Sequence, residues 1–504
     1  MQTRKAGILL HPTSLPGKFG IGTIGAEAFA FVDFLVKAKQ NYWQILPLGP
    51  TGYGDSPYQC FSSKAGNPYL IDLEKLVEIH LLDKTDLIIH EEFSDQKVNY
   101  GIVISTKLEL LKKAQQRFNS GDYNDLKYNF DLFVSENNVW LEDYALFMAL
   151  KEKFDNRPWY EWSDEYRLRN SETLEMVKPE LSDTIQFHKF IQYIFTQQWY
   201  DLKQYANNNG IEIIGDIPIY VAMDSSDTWV SPQLFQFDEN KNPLCVGGCP
   251  PDYFSETGQL WGNPIFDYSE MEKDDFSWWI DRIKTTLKLY DLVRVDHFRG
   301  FAGYWRIPYG DENAINGEWI PGPGKKLFHA IKNALGEIPI IAEDLGLITP
   351  DVIELRDAFN LPGMKVLQFA FDSGEANDYL PHNYDKNCVV YTGTHDNETV
   401  NGWFENAIDA DKKYVLDYIN SNGENVSWDL IKSAWASVAY TAIAPMQDVL
   451  GLGADARMNL PGTTVKNWEW RMERGAITDE LAERLEYITA LFGRVGKPKG
   501  MRNE

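Results

Sequence analysis

Eight short, β-rich apolar runs recur along this chain, and many of the stretches between them carry apolar residues at helical spacing. The runs are 7–11, 42–48, 211–220, 292–298, 338–345, 365–371, 388–394 and 445–452. Strands alternating with helices predict a parallel sheet, because parallel neighbours need a crossover and a helix supplies it. Eight is also the number that closes a (β/α)8 barrel. The predicted fold class is therefore α/β, a (β/α)8 TIM barrel with large, mostly helical insertions. A doubly wound open sheet is the alternative, but no glycine-rich phosphate loop follows an early strand.

A bare barrel takes about 250 residues, and this chain has 504. Roughly half must be insertion. One barrel domain is expected over 1–504, with a helical insertion after the second strand over about 50–209. A second insertion, placed like a lid, is expected after the third strand over about 221–290. Helical patterns occupy 29–38, 102–118 and 138–151. Phe187, Phe190, Ile191, Ile194, Leu202 and Tyr205 recur on one helix face, with Gly210 able to stand just past its end. Phe328, Ile331 and Leu335 do the same before Gly336. Thr349-Pro350-Asp351 reads as an N-cap, a first-position proline and an acidic first turn.

Formal net charge is −26, a surface that repels phosphate backbones and anionic membranes, so neither nucleic acid nor membrane is an expected partner. Apolar residues at 44% fit a packed globular chain. The four cysteines, Cys60, Cys245, Cys249 and Cys388, are too few for a disulfide framework. They complete no zinc set, so no metal is expected. With no signal peptide or apolar span in view, the expected location is cytoplasmic.

Catalytic groups of such barrels sit at the C-terminal ends of the strands. Reading those ends gives Asp216 on the third run, Asp296-His297 on the fourth, Glu343-Asp344 on the fifth and His395-Asp396 on the seventh. A single acidic residue after a strand is often a helix cap or a turn former. Four strands delivering carboxylates to one rim ask for more. Two carboxyl groups flanking one bond are the equipment of glycoside chemistry, one ionised and one holding a proton. Arg294 shares a strand face with Asp296 and can keep it ionised. A divalent metal held by Asp and Glu is the competing reading, although no compact metal loop is present.

Arg294-Val295-Asp296-His297-Phe298-Arg299-Gly300, Ala342-Glu343-Asp344-Leu345-Gly346 and Gly393-Thr394-His395-Asp396-Asn397 resemble the catalytic regions of the amylomaltases. These are the 4-α-glucanotransferases, or disproportionating enzymes, of the α-amylase superfamily. The resemblance runs nearly end to end, through His11-Pro12-Thr13-Ser14, Gly52-Tyr53-Gly54-Asp55-Ser56-Pro57-Tyr58, Gly248-Cys249-Pro250-Pro251-Asp252, Trp261-Gly262-Asn263-Pro264 and Arg457-Met458-Asn459. It implies that Asp296 is the nucleophile, Glu343 the general acid and then base, and Asp396 the transition-state stabiliser. It implies that Arg294 and His395 hold the nucleophile and the sugar beside it. Asp216, Ser56, Tyr58, Asp372 and Asn467 match sugar contacts, and Trp261 matches a loop that stacks on the acceptor side.

The implied reaction moves an α-1,4-glucan segment to the 4-hydroxyl of glucose or of another glucan, with retention and without cofactor. Partners would be maltooligosaccharides, amylose, starch- or glycogen-derived glucans, and glucose as acceptor. The segment 245–267, rich in glycine, proline and aromatics, would keep water from the intermediate. The rivals are a glucan hydrolase with the same carboxylates and a non-catalytic glucan-binding protein. Trp278-Trp279, Trp428 and Trp435 read as packing residues, and His11 as either a rim residue or a hydrogen-bonded structural one.

Overall fold

The structure, a computed structural model, describes residues 3–251 and 255–496. Eight parallel strands form a nearly closed barrel: β1 Lys5–Leu9, β2 Tyr42–Gln44, β3 Glu212–Pro218, β4 Leu292–Asp296, β5 Ile340–Ala342, β6 Gly363–Val366, β7 Cys388–Tyr391 and β8 Thr441–Pro445. Sequential strands are neighbours, and β1 pairs with β8, with Leu9 opposite Pro445. Their inward and outward side chains are both buried, as in Ile213, Ile214, Val293, Val295, Val389 and Val390. That double burial is why these segments read as continuous apolar runs.

Six of the eight expected runs share three residues or more with a barrel strand, and the sixth run shares only Lys365 and Val366. The eighth is displaced: the strand is Thr441–Pro445, and Met446–Val449 is a short helix. The strand Thr-Ala-Ile-Ala-Pro carries one large apolar side chain, Ile443, while Met446, Val449 and Leu450 beyond it give a denser apolar run. The sixth strand also ends earlier than expected, turning into a 3-10 turn at Leu367–Phe369. The helix Ser182–Asn208 ends as the spacing predicts, with Gly210 past its end at φ +82°, a conformation a side chain would disfavour. Helix Pro350–Ala358 starts on Thr349 with proline in its first turn.

Between β2 and β3 lie the long helices Tyr100–Ser120, Asn124–Lys153 and Ser182–Asn208. The last two pack on each other, and a satellite core forms around Phe147, Trp159, Trp162 and Trp229. Periodicity does not announce a four-stranded antiparallel sheet, ordered Gln259–Pro264, Cys245–Cys249, Gly303–Pro308 and Glu318–Pro321. The segment 245–267 is therefore largely a hairpin, and its strand Cys245–Cys249 is paired to Gly303–Pro308. Asp252 lies outside the described residues. Trp279, Trp428 and Trp435 are buried in the main core, as expected of packing residues.

The barrel's seam is between β5 and β6. One main-chain bond crosses it there, from the Ala342 N–H to the Pro362 carbonyl at 2.9 Å. The Asp344 carboxylate adds a second, accepting from the Met364 N–H at 2.7 Å, while its other oxygen accepts from Arg356 at 2.7 Å. Gly363 leaves the room for this: a Cβ there would lie 2.3 Å from an Asp344 oxygen. Asp344 thus substitutes for a missing rung of the ladder, and it points away from the chemistry that its neighbour Glu343 serves.

Removing that carboxylate leaves Arg356 and the Met364 N–H without their partner. Asp344→Ala should lower unfolding free energy by about 3 kcal/mol, measured by denaturant titration. A loss indistinguishable from zero would show that the seam closes without it.

Candidate active site

Parallel register sets the first contact. Asp216 on β3 lies directly opposite Arg294 on β4, so both side chains leave the same side of the sheet. Arg294 donates through Nη1 to Asp216 Oδ2 at 2.7 Å and through Nη2 to Asp296 Oδ1 at 2.7 Å. Asp296 is two residues further along β4, which the period-two alternation brings to the same side as Arg294. The Tyr58 hydroxyl also donates to Asp216 Oδ2, at 2.9 Å. Complete burial raises the Asp216 carboxyl to about 7, while Arg294 and Tyr58 pull it the other way. The guanidinium is likewise buried, yet the carboxylates around it hold its pKa well above the usual range.

Glu343 follows β5 and reaches across to β4. Its Oε2 accepts from the His297 N–H at 2.7 Å and its Oε1 from the Leu345 N–H at 2.9 Å. His297 is the residue after Asp296, so the Glu343 carboxyl is bonded to the peptide that carries the Asp296 carbonyl. The geometry depends on a left-handed backbone at His297, φ 54°, a conformation that costs roughly 1–2 kcal/mol outside glycine. It aims the N–H at Glu343 and sets the imidazole edge-on against Trp261, ring centres 4.7 Å apart. Burial pushes Glu343 up to about 8, and the negative charge of Asp296 adds to the rise; Arg294 and the two N–H donors oppose it. Of the carboxyl groups around Arg294, Glu343 is held at the highest pKa, by its burial first, so it carries a proton at neutral pH.

Asp396 and His395 come from the loop after β7. Asp396 Oδ1 accepts from Asn459 Nδ2 at 2.6 Å and lies 3.3 Å from His395 Nε2. Its main-chain carbonyl accepts from Arg457 Nη2 at 2.8 Å. His395 is stacked on Tyr58, ring centres 5.2 Å apart and 14° from parallel, with Trp468 tilted against it at 5.9 Å. Burial lowers the His395 pKa, while the charge of Asp396 beside Nε2 works against the shift.

The structure thus gathers Asp216, Arg294, Asp296, Glu343, His395, Asp396 and Tyr58 at the C-terminal mouth, with Trp261 joined to them through His297. Ser56 stands one step back: its hydroxyl accepts from the Tyr58 N–H at 3.2 Å and shapes that turn. Asp372 is exposed on the turn after β6, where it accepts from Asn377 at 3.2 Å. Asn467 spends its side-chain amide on its own loop, accepting from the Leu460 N–H at 3.0 Å and donating to the Thr463 carbonyl at 2.9 Å. His11 is buried at the end of β1, with Nδ1 accepting from the Leu46 N–H at 3.3 Å.

Asn459, Arg457, Trp468 and His297 join the site in the structure without a role that their sequence positions announce. All lie in irregular segments, where neither helical nor strand periodicity marks a face; the motif Arg457-Met458-Asn459 was the available signal. Among the described residues no group of three His, Cys, Asp or Glu side chains is arranged to hold a metal ion, nor is any helix long and apolar enough to cross a membrane.

A sequence profile of the family described as 4-alpha-glucanotransferase matches residues 10–478. A 4-alpha-glucanotransferase of Clostridium butyricum is 52% identical over 492 residues, covering 96% of this chain and all of the relative. One from Thermus thermophilus is 48% identical, covering 98% and 99%. The amylomaltase from Streptococcus agalactiae, solved in complex with acarbose, superposes with a TM-score of 0.95 at 43% identity, covering 97% of this chain and 99% of that one.

A difference titration between the wild-type chain and Glu343→Gln should show one proton released near pH 8 in the wild type alone. Release near the ordinary carboxyl range, about 4.3, would contradict the proton assignment.

Proposed function

The chain belongs to the 4-alpha-glucanotransferase family, and from that premise we propose which of its residues perform the transfer and how. Its activity is 4-α-glucanotransfer on α-1,4-glucans. The observation that carries the residue assignment is the pairing of an Arg294-bonded Asp296 with a proton-holding Glu343, both at the barrel mouth.

Asp296 is the nucleophile. Arg294 bonds to one of its oxygens and orients it, leaving the other to attack the anomeric carbon. Glu343 gives its proton to the departing glycosidic oxygen as the C–O bond breaks, and a covalent glycosyl-enzyme forms on Asp296. The glucan fragment beyond the broken bond leaves. The incoming 4-hydroxyl then attacks, Glu343 takes its proton back, and the Asp296 ester breaks. Two inversions give net retention, the outcome of carboxyl groups about 5–5.5 Å apart. Neighbouring strands β4 and β5, and the hydrogen bond from the His297 N–H to Glu343, support that proximity. Asp396, steadied by Asn459 and His395, accepts hydrogen bonds from sugar hydroxyls that strengthen as positive charge develops on the ring.

Transfer requires that a sugar hydroxyl outcompete water at about 55 M, which bound-acceptor positioning and a dry site can supply. Trp261, braced against His297, provides a flat apolar face on the acceptor side, and the hairpin 245–267 that carries it provides the cover. The acceptors we assign are glucose and maltooligosaccharides, and the donors α-1,4-glucans such as amylose.

Incubation with maltotriose should give glucose and a ladder of longer maltooligosaccharides at constant reducing ends. Rising reducing ends with only shorter products would make the chain a hydrolase. Asp296→Asn should lose several orders of magnitude in turnover with the fold intact by circular dichroism, and near-normal turnover would sink the nucleophile assignment. With maltotriose, kcat/KM should fall as pH rises through about 8, because the acid is active only while protonated and Glu343 loses its proton there. With a maltosyl fluoride donor, whose leaving group needs no proton, that basic limb should vanish; its persistence would place the titration elsewhere.

A further inference from the structure

The loop 392–400 carries His395 and Asp396, and both of its ends are buried. A small cavity of about 30 Å³ lies behind it, lined by His11, Thr394, His395, Gln447, Asp448 and Arg457 among others. Packing alone does not set the aim of such a loop; directed bonds do, because a hydrogen bond fixes distance and angle. Asp448 makes two of them. It is 1% exposed on the short helix after β8. One oxygen accepts from the Thr392 hydroxyl at 2.6 Å, where β7 ends and the loop begins. The other accepts from the Val400 N–H at 2.8 Å, where the loop ends and helix Val400–Asn406 begins. A single carboxylate therefore fixes both feet of the loop.

Asp448 is itself immobilised. Its carbonyl accepts from the Ser427 hydroxyl at 2.5 Å and from the Gly451 N–H at 3.0 Å. The same stretch of chain, running on from β8, also supplies Arg457 and Asn459, which hold the tip of the loop at Asp396. Feet and tip are thus tied to one segment, 446–459. Both Asp448 oxygens are used by protein donors, which leaves them committed to holding the loop.

We propose that Asp448 is a positioning residue for the transfer reaction, acting through Thr392 and Val400 to place Asp396 against the sugar. The inference rests on the assignment of Asp396 as transition-state stabiliser. A residue that sets the aim of such a group governs kcat rather than ground-state binding, because the contact strengthens only as the transition state forms.

The test is a double-mutant cycle on the full chain, read with maltosyl fluoride as donor and glucose as acceptor. Thr392→Val removes one foot's donor at nearly constant volume, and Asp448→Ala removes both acceptors. Each should lower kcat, by on the order of 10²-fold for Asp448→Ala, with donor KM within about threefold. Asp448→Asn keeps an acceptor for Val400 and a polar partner for Thr392, and should recover most of that loss. In an Asp396→Asn background, Thr392→Val and Asp448→Ala should each cost less than about threefold, since the aim of an absent carboxylate no longer matters. Equal fractional losses in both backgrounds, or losses confined to KM, would overturn the inference. Should Asp448→Ala fail to fold, Thr392→Val carries the cycle alone. Near-normal turnover in Asp396→Asn itself would instead overturn the role of Asp396.

Discussion

The Arg294 guanidinium, buried between Asp216 and Asp296, is the interaction on which the rest of the site depends. Its two arms join β3 to β4 at the rim and fix one oxygen of each carboxylate. Removing three carboxyl groups from water near one another is costly, and a single cation compensates only part of that cost. The remainder appears as chemistry: Glu343 keeps a proton that an exposed glutamate would have lost. The acid–base division of labour thus follows from the burial of Glu343 first and from the charge of Asp296 second. No special feature of Glu343 beyond its place is needed.

Around this pair the fold supplies aim. The left-handed turn at His297 delivers an N–H to Glu343 and a ring to Trp261, so nucleophile, acid and acceptor-side aromatic are mechanically connected through one residue. Tyr58 serves twice, as a donor to Asp216 and as the surface on which His395 stacks. The third carboxylate, Asp396, is placed from outside the barrel strands, by side chains of the segment that follows β8. Seam and site are also separated within two residues: Asp344 closes the barrel while Glu343 faces the mouth.

Much of this was legible in the sequence, for reasons that particular residues make plain. Doubly buried strands such as Leu292–Asp296 and Cys388–Tyr391 read as apolar runs, and the acidic residues at their ends stand out against them. The Arg294–Asp296 contact follows from strand alternation. The eighth strand is poorly marked because Thr441–Pro445 has one large apolar residue, Ile443, and more apolar bulk falls in the helix beyond it. The four-stranded side sheet is faint in the sequence because Gly247, Gly248 and Gly262 interrupt two of its strands and carry no periodic signal. Asp372 and Asn467 matched by motif, yet the fold gives one a place on an exposed turn and the other a duty within its own loop. Asn459, Trp468 and Asp448 act through tertiary contacts across 21 to 400 positions of chain or more, and no local pattern encodes those.

The most direct measurement is to trap the intermediate. Glu343→Gln given maltosyl fluoride can form the glycosyl-enzyme, because fluoride leaves without a proton, but lacks the base that would release it. Mass spectrometry of the intact protein should then show one added maltosyl unit, and peptide mapping should place it on Asp296. Absence of any adduct while fluoride is released, or an adduct on a different carboxylate, would contradict the account.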